Sequence, residues 1–143
     1  MAVLRTLTLL PAFAALLWGG GAAAAAELRV TVRGVQTDQG DVRVGLYATP
    51  EAFDKRKRTY GMTTPARKGE VTVVFPDLPP GRYGIAAIHD VNGNGEIDMN
   101  LLGIPTESYG FGNDAKVNLA PPAFDDMAVT IGTAPVATAL TLH

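Results

Sequence analysis

The stretch Asp90-Val91-Asn92-Gly93-Asn94-Gly95-Glu96-Ile97-Asp98 places oxygen-bearing side chains at alternate positions around a glycine. Acid and amide oxygens are hard donors, and calcium gathers six to eight of them at about 2.3–2.6 Å. The spacing D-x-N-x-N-G-x-x-D reproduces positions one to nine of a twelve-residue calcium loop. Asp90, Asn92 and Asn94 stand at positions one, three and five, and Asp98 at nine. Glu96, at seven, supplies its backbone carbonyl, so its side chain is dispensable. Gly95, at six, permits the sharp turn that a Cβ resists. Ile97, at eight, points the other way, into a core. Position twelve, a bidentate Glu in such loops, is Leu101. Either the site borrows a carboxylate from elsewhere or it is weak. Asn-Gly-Asn-Gly also suits a plain tight turn, because both residue types accept positive φ. A turn alone does not account for Asp90 and Asp98 at the two ends.

A third carboxylate is available from Glu107, Asp114, Asp125 or Asp126. Glu107 is the first choice, since Gly103 and Pro105 can fold the chain back towards the loop; otherwise it is a surface glutamate. Asn100 suits the turn better than the ion. Two carboxylates and two amides predict modest affinity, nearer that of extracellular modules than of cytosolic buffers. His89 precedes the loop, and strand alternation sets it opposite Asp90, as a core or supporting residue rather than a ligand. Tyr109 and Phe111, flanked by Gly110 and Gly112, form an aromatic-glycine patch. They are read either as a stacking surface for a sugar or peptide, or as rings that plug the end of the fold.

The elements that must position these residues follow a recognisable export pattern. Arg5, an apolar run over residues 7–18 and a small-residue tail ending Ala24-Ala25-Ala26 predict a signal peptide over residues 1–26, cleaved before Glu27. An uncleaved anchor is the alternative, although Pro11 interrupts the run and a span needs about 20 residues. The chain has no cysteine, which excludes disulfides and lipid attachment through a thiol. Residues 27–143 form one domain, long enough to bury a core unaided. The net charge of −2, one unit more negative once Arg5 is lost, argues against nucleic acid.

Period-two alternation predicts strands over residues 28–35, 42–47, 70–75, 82–89, 128–131 and 136–142. Turn residues 36–40 predict a hairpin between the first two. Thr49-Pro50-Glu51 caps a short helix carrying Phe53. Lys55-Arg56-Lys57-Arg58 reads as a solvated face, and residues 90–125 as a long connection with little regular pattern. The expectation is an all-β, antiparallel sandwich of about seven strands with one short helix and a long calcium-loop segment.

Asp77-Leu78-Pro79-Pro80-Gly81-Arg82-Tyr83 resembles the L-P-P-G-x-Y turn of transthyretin-like and carboxypeptidase-regulatory-like sandwiches, within the Ig-like class. His89-Asp90-x-Asn92-x-Asn94-Gly95-x-x-Asp98-x-Asn100, followed by Gly103-Ile104-Pro105-x-Glu107-x-Tyr109-Gly110-Phe111, resembles a bacterial secreted family, domain of unknown function 2141. Pro122-x-Phe124-Asp125-Asp126 continues the match, with Met127 intervening before Ala128. The resemblance spans residues 28–142 and implies an exported sandwich of seven or eight strands, with no activity attached. The resulting expectation is a periplasmic or secreted, calcium-binding and non-enzymatic module with an envelope glycan or protein as partner. One alternative is a metal-assisted hydrolase using His89, Asp90 and Glu107, although H-E-x-x-H and G-x-S-x-G are both missing. Another is a domain in which calcium serves stability alone.

Overall fold

Alternating apolar residues along residues 26–35 set the first strand, and the computed structural model, which describes residues 24–143, shows its consequence. Leu28, Val30 and Val32 are fully buried, while Arg29 and Arg33 face outward. A register shift between Arg33 and Val35, at Gly34 with φ 76°, changes the phase so that Val35 also turns inward. In chain order the elements are β1 (Ala26–Val35), β2 (Asp41–Tyr47), α1 (Pro50–Asp54), β3 (Tyr60–Pro65), β4 (Gly69–Leu78) and β5 (Gly81–Asp90). There follow β6 (Tyr109–Phe111), a 3-10 turn (Gly112–Asp114), α2 (Phe124–Met127), β7 (Ala128–Ile131) and β8 (Val136–Thr141). The predicted signal segment lies largely outside the described residues. Its expected last residue, Ala26, opens β1 and is buried.

Two sheets enclose one core. The three-stranded sheet has the order β4-β1-β8. The other has the order β3-β2-β5-β6, with β7 sharing the free edge of β5 beside β6. Leu28, Val30, Val32, Phe75 and Leu140 from the first sheet meet Val42, Val44, Leu46, Ile85 and Ile131 from the second. Each such side chain contributes about 1.5–3 kcal/mol by leaving water. The fold is therefore all-β, with two sheets packed face to face as a sandwich.

Three expectations need correction. The predicted hairpin of β1 with β2 does not form. Residues 36–40 carry the chain from one sheet to the other, so β1 pairs with β4 and β8, and β2 with β3 and β5. The sandwich is not wholly antiparallel, because β1 and β8 run parallel. The strands number eight among the described residues, within the seven or eight that the resemblance implies; β3, almost wholly exposed, has no buried face to leave a period in the sequence, and β6 is too short to show one. The single helix expected is joined by α2 and the 3-10 turn. The cap was read correctly, with Thr49 Oγ1 accepting from the Ala52 amide at 3.1 Å and Pro50 at the first helical position.

Two turns hold the end of the sandwich where the motif begins. The Tyr83 hydroxyl donates to the Pro79 carbonyl at 2.8 Å, closing the Pro79-Pro80-Gly81 turn that launches β5. Gly40, at φ 70°, packs against the far end of β5: a Cβ there would lie 2.1 Å from the Asp90 carbonyl oxygen. Gly40→Ala combines that collision with a left-handed backbone, and we expect it to cost at least about 2 kcal/mol. Urea denaturation checks this; an unchanged midpoint would show that the 36–40 crossing does not buttress the site.

Candidate metal centre

The last residue of β5, Asp90, is wholly buried. A carboxylate without solvent must be neutralised or surrounded by donors. Arg43 on β2 supplies the charge, its Nε donating to Asp90 Oδ2 at 2.5 Å. The Gly95 amide donates to the same oxygen at 2.8 Å, and the Asn94 amide to Oδ1 at 3.1 Å. Burial raises the Asp90 pKa, but the Gly95 amide, the Arg43 hydrogen bond and charge, and the Gly93 amide outweigh it and hold the carboxyl below its ordinary value. The loop curls because its amides are drawn back onto this one acid.

Beyond Asp90, the polar heads of the motif crowd together. Asn92 Nδ2 donates to Asp98 Oδ2 and Asn94 Nδ2 to Asp98 Oδ1, at 2.5 and 2.8 Å. Asn92 Oδ1 accepts from the Asn94 amide at 3.1 Å, and Asn94 Oδ1 from the Glu96 amide at 3.0 Å. Each of these oxygens keeps a second lone pair. Gly93 and Gly95 have φ of 72° and 86°, as the turn requires.

Glu107 comes back to the loop by the predicted route. Residues 98–106 form a tongue: Met99 bridges Pro105, the Thr106 amide donates to the Asp98 carbonyl at 2.8 Å, and Asn100 Oδ1 accepts the Leu102 and Ile104 amides. Asn100 thus serves the turn. Glu107 Oε1 accepts from the Val91 amide at 2.9 Å and Oε2 from the Asp98 amide at 3.1 Å, so this carboxylate clasps both ends of the loop.

The other candidates go elsewhere. Asp114 accepts the Thr141 amide at 2.7 Å, Asp125 pairs with Arg82, and the Asp126 carbonyl takes Asn113 Nδ2. Leu101, at position twelve, lies fully in solvent at the tongue tip. Glu96 is exposed, and Ile97, expected in the core, is only half-buried against the outer face of the larger sheet. His89 is buried, with Nε2–H donating to the Gln39 carbonyl at 2.8 Å. His89, Asp90 and Glu107 thus hold separate partners rather than one another. Tyr109 and Phe111 are half-buried, stack edge-to-face at 5.9 Å, and border an open cleft of about 540 Å³. Arg43, the residue that sequence reasoning missed, carried no signal beyond an ordinary outward strand position.

The profile of an uncharacterized protein conserved in bacteria (DUF2141) matches residues 30–139, which include every residue of this site. The chain belongs to that family. No curated protein and no solved structure matches it. In this DUF2141 member the loop carries acid and amide oxygens, the donor type a hard cation takes, with differences from a full calcium loop. Arg43 shares Asp90, and Glu107 is bound to backbone amides. Among the described residues, no three Asp, Glu or His side chains gather as a metal-holding group. What is left is a set of two carboxylates and two amides, with the Glu96 carbonyl, and such a set suits weak binding.

Arg43→Met strands a buried carboxylate and should cost about 3–5 kcal/mol, much of it recovered in the Arg43→Met/Asp90→Asn double variant. A folded-state pKa below the unfolded one gives stability that is present above the ordinary value of 3.8 and lost as pH falls through the folded value. Acid unfolding of Asp90→Asn should therefore lack part of the wild-type pH dependence, measured as denaturation midpoints across that range.

Proposed function

We propose that this protein is an exported, calcium-binding, transthyretin-like sandwich acting as a non-enzymatic binding or accessory module at the bacterial cell envelope. The observation that carries the reading is the packing of the Asn92 and Asn94 side chains onto the Asp98 carboxylate, in a loop whose Asn94 amide is bound by Asp90 and whose two ends are clasped by Glu107. Asp98 and the Asn92 and Asn94 oxygens would hold the ion, with Asp90 and the Glu96 carbonyl completing the set; a bound ion would supply the positive charge that locks these heads together. Glu107 is better suited to clasping the loop than to coordinating. Export is supported by the leader pattern of residues 1–26, and weak affinity suits a compartment where calcium is plentiful.

A binding role is favoured over a purely structural one by what the long segment displays. Leu101, Leu102 and Leu119 are almost fully exposed, and Ile104 is more than half exposed. Leu101, Leu102 and Ile104 lie together on the tongue, and contiguous exposed apolar residues commonly mark contact surfaces. The cleft beside Tyr109 and Phe111 adds an aromatic-lined recess suited to a glycan or a peptide.

Thermal melting with calcium and with chelator tests the metal. Calcium at about 10 mM should stabilise the wild type by about 1–3 kcal/mol, and Asp98→Ala should lose the response. Equal midpoints in both buffers for the wild type would sink the reading. For the contact surface, Leu101→Asp/Leu102→Asp should leave the midpoint unchanged, since neither side chain is buried, while removing retention on envelope preparations; retention equal to wild type would exclude the tongue.

A further inference from the structure

We infer that the outer face of the five-stranded sheet is a binding groove for a small amphiphilic anion, with Arg56 and Arg58 holding a phosphate or carboxylate head and the apolar body lying on Gly45, Ala86 and Ile88. The inference goes beyond the metal reading and does not depend on it.

The register builds the floor. Gly61, Gly45, Ala86 and Phe111 stand in one row across β3, β2, β5 and β6. Three consecutive strands thus present almost no side chain, leaving a trough bordered by Phe111 at the β6 end. Tyr47 lines one side and is backed by Phe53, stacked on it edge-to-face at 5.2 Å, and Phe53 in turn meets Phe111 at 6.0 Å. Arg43, Ile88 and Ile97 form the other, and the groove holds about 400 Å³, within the size of small-ligand sites.

The arginines are placed rather than splayed. The Arg58 stem lies over the paired glycines: a Cβ on Gly45 would fall 2.7 Å from Arg58 Cδ, and one on Gly61 would fall 3.7 Å from a guanidinium nitrogen. Arg56 enters the groove through a strained backbone. The Arg56 amide donates to the Phe53 carbonyl and the Lys57 amide to the Ala52 carbonyl, the bond pair that ends a helix with a left-handed residue. That residue is Arg56, at φ 53°, where glycine is the usual occupant. An arginine in a backbone conformation that favours glycine is strained, and its side chain lines the groove.

Charge supports the same ligand. Arg29, Arg33, Arg43 and Arg82 have carboxylate partners, whereas among the described residues Arg56, Arg58 and Arg67 have none, and of these three Arg56 and Arg58 line the groove. Both lie near the Tyr47 phenol: burial raises its pKa, and the Arg58 and Arg56 charges pull it back. Planar guanidinium forks match phosphate and carboxylate, and the small apolar floor takes the rest of the molecule. Glu96, the acidic residue on the rim, opposes the anion. Lys55-Arg56-Lys57-Arg58 is exposed throughout, as a solvated face requires, and within it Arg56 and Arg58 border the groove.

The test is calorimetric titration of the purified protein with phenyl phosphate at low salt, with chelator present so that failure of the metal site has no bearing on it. Wild type should bind. Arg56→Gly should weaken binding at least about tenfold while the melting temperature stays level or rises, because glycine relieves the strain. Arg58→Met, which keeps the apolar stem, should weaken it similarly, and Glu96→Gln should tighten it. No detectable binding by wild type, or both arginine variants binding as wild type does, overturns the groove. Inorganic phosphate binding as tightly as phenyl phosphate removes the apolar part. Sedimentation with phosphatidylglycerol vesicles separates a lipid headgroup source from a free one. Vesicle binding lost in Arg56→Gly alongside phenyl phosphate binding assigns the lipid; vesicle binding without phenyl phosphate binding overturns the small-molecule groove.

Discussion

One buried charge organises the end of the sandwich where β5 stops. Asp90 closes β5 with no exposure to solvent, and an isolated carboxylate in that position would be far too costly to retain. The chain meets the need from three directions: the Arg43 guanidinium across the β2–β5 pair and the amides of Asn94 and Gly95. Because two of those donors lie four and five residues ahead, satisfying the acid bends the backbone into a loop. Glu107 repeats the principle at the other end, taking the Val91 and Asp98 amides. Residues 91–107 thus acquire a defined path with almost no regular secondary structure, since two carboxylates do the work that a sheet ladder does elsewhere.

This arrangement links two surfaces. Arg43 stands on the outer face of the larger sheet while its head reaches Asp90, and Gly95 to Ile97 leave the loop to form a rim of the groove. The loop and the groove wall thus share Arg43 and residues 95–97. The inner face has no such role. Its Val, Leu and Ile residues make one continuous core from both sheets, and His89 reaches only as far as the Gln39 carbonyl.

The strands that could be read from the chain were those with one wet and one dry face. β1, β2, β4, β5, β7 and β8 alternate because a sandwich buries every second residue. β3 is an edge strand with almost nothing buried, so no pattern was written into it. Pairing was less legible still. Turn residues 36–40 look the same whether they join neighbours in one sheet or cross between two, and the parallel contact of β1 with β8 brings together segments over a hundred positions apart. In the site, the motif spacing and the return of Glu107 were visible, because Gly103 and Pro105 dictate the fold-back locally. The destinations of Asp114, Asp125 and Asp126 were not, since each is claimed by a partner distant in sequence.

The amino-acid sequence by itself determined the local geometry: which strands have a buried face, where the helix is capped, and that the chain turns sharply at Gly93 and Gly95. Only the tertiary structure decided which charges the loop oxygens face. Arg43 reaches Asp90, and the Arg58 stem finds the glycine trough, because strand register sets side chains from separate segments side by side. Register comes from the packing of two whole sheets, and no short stretch of chain contains it.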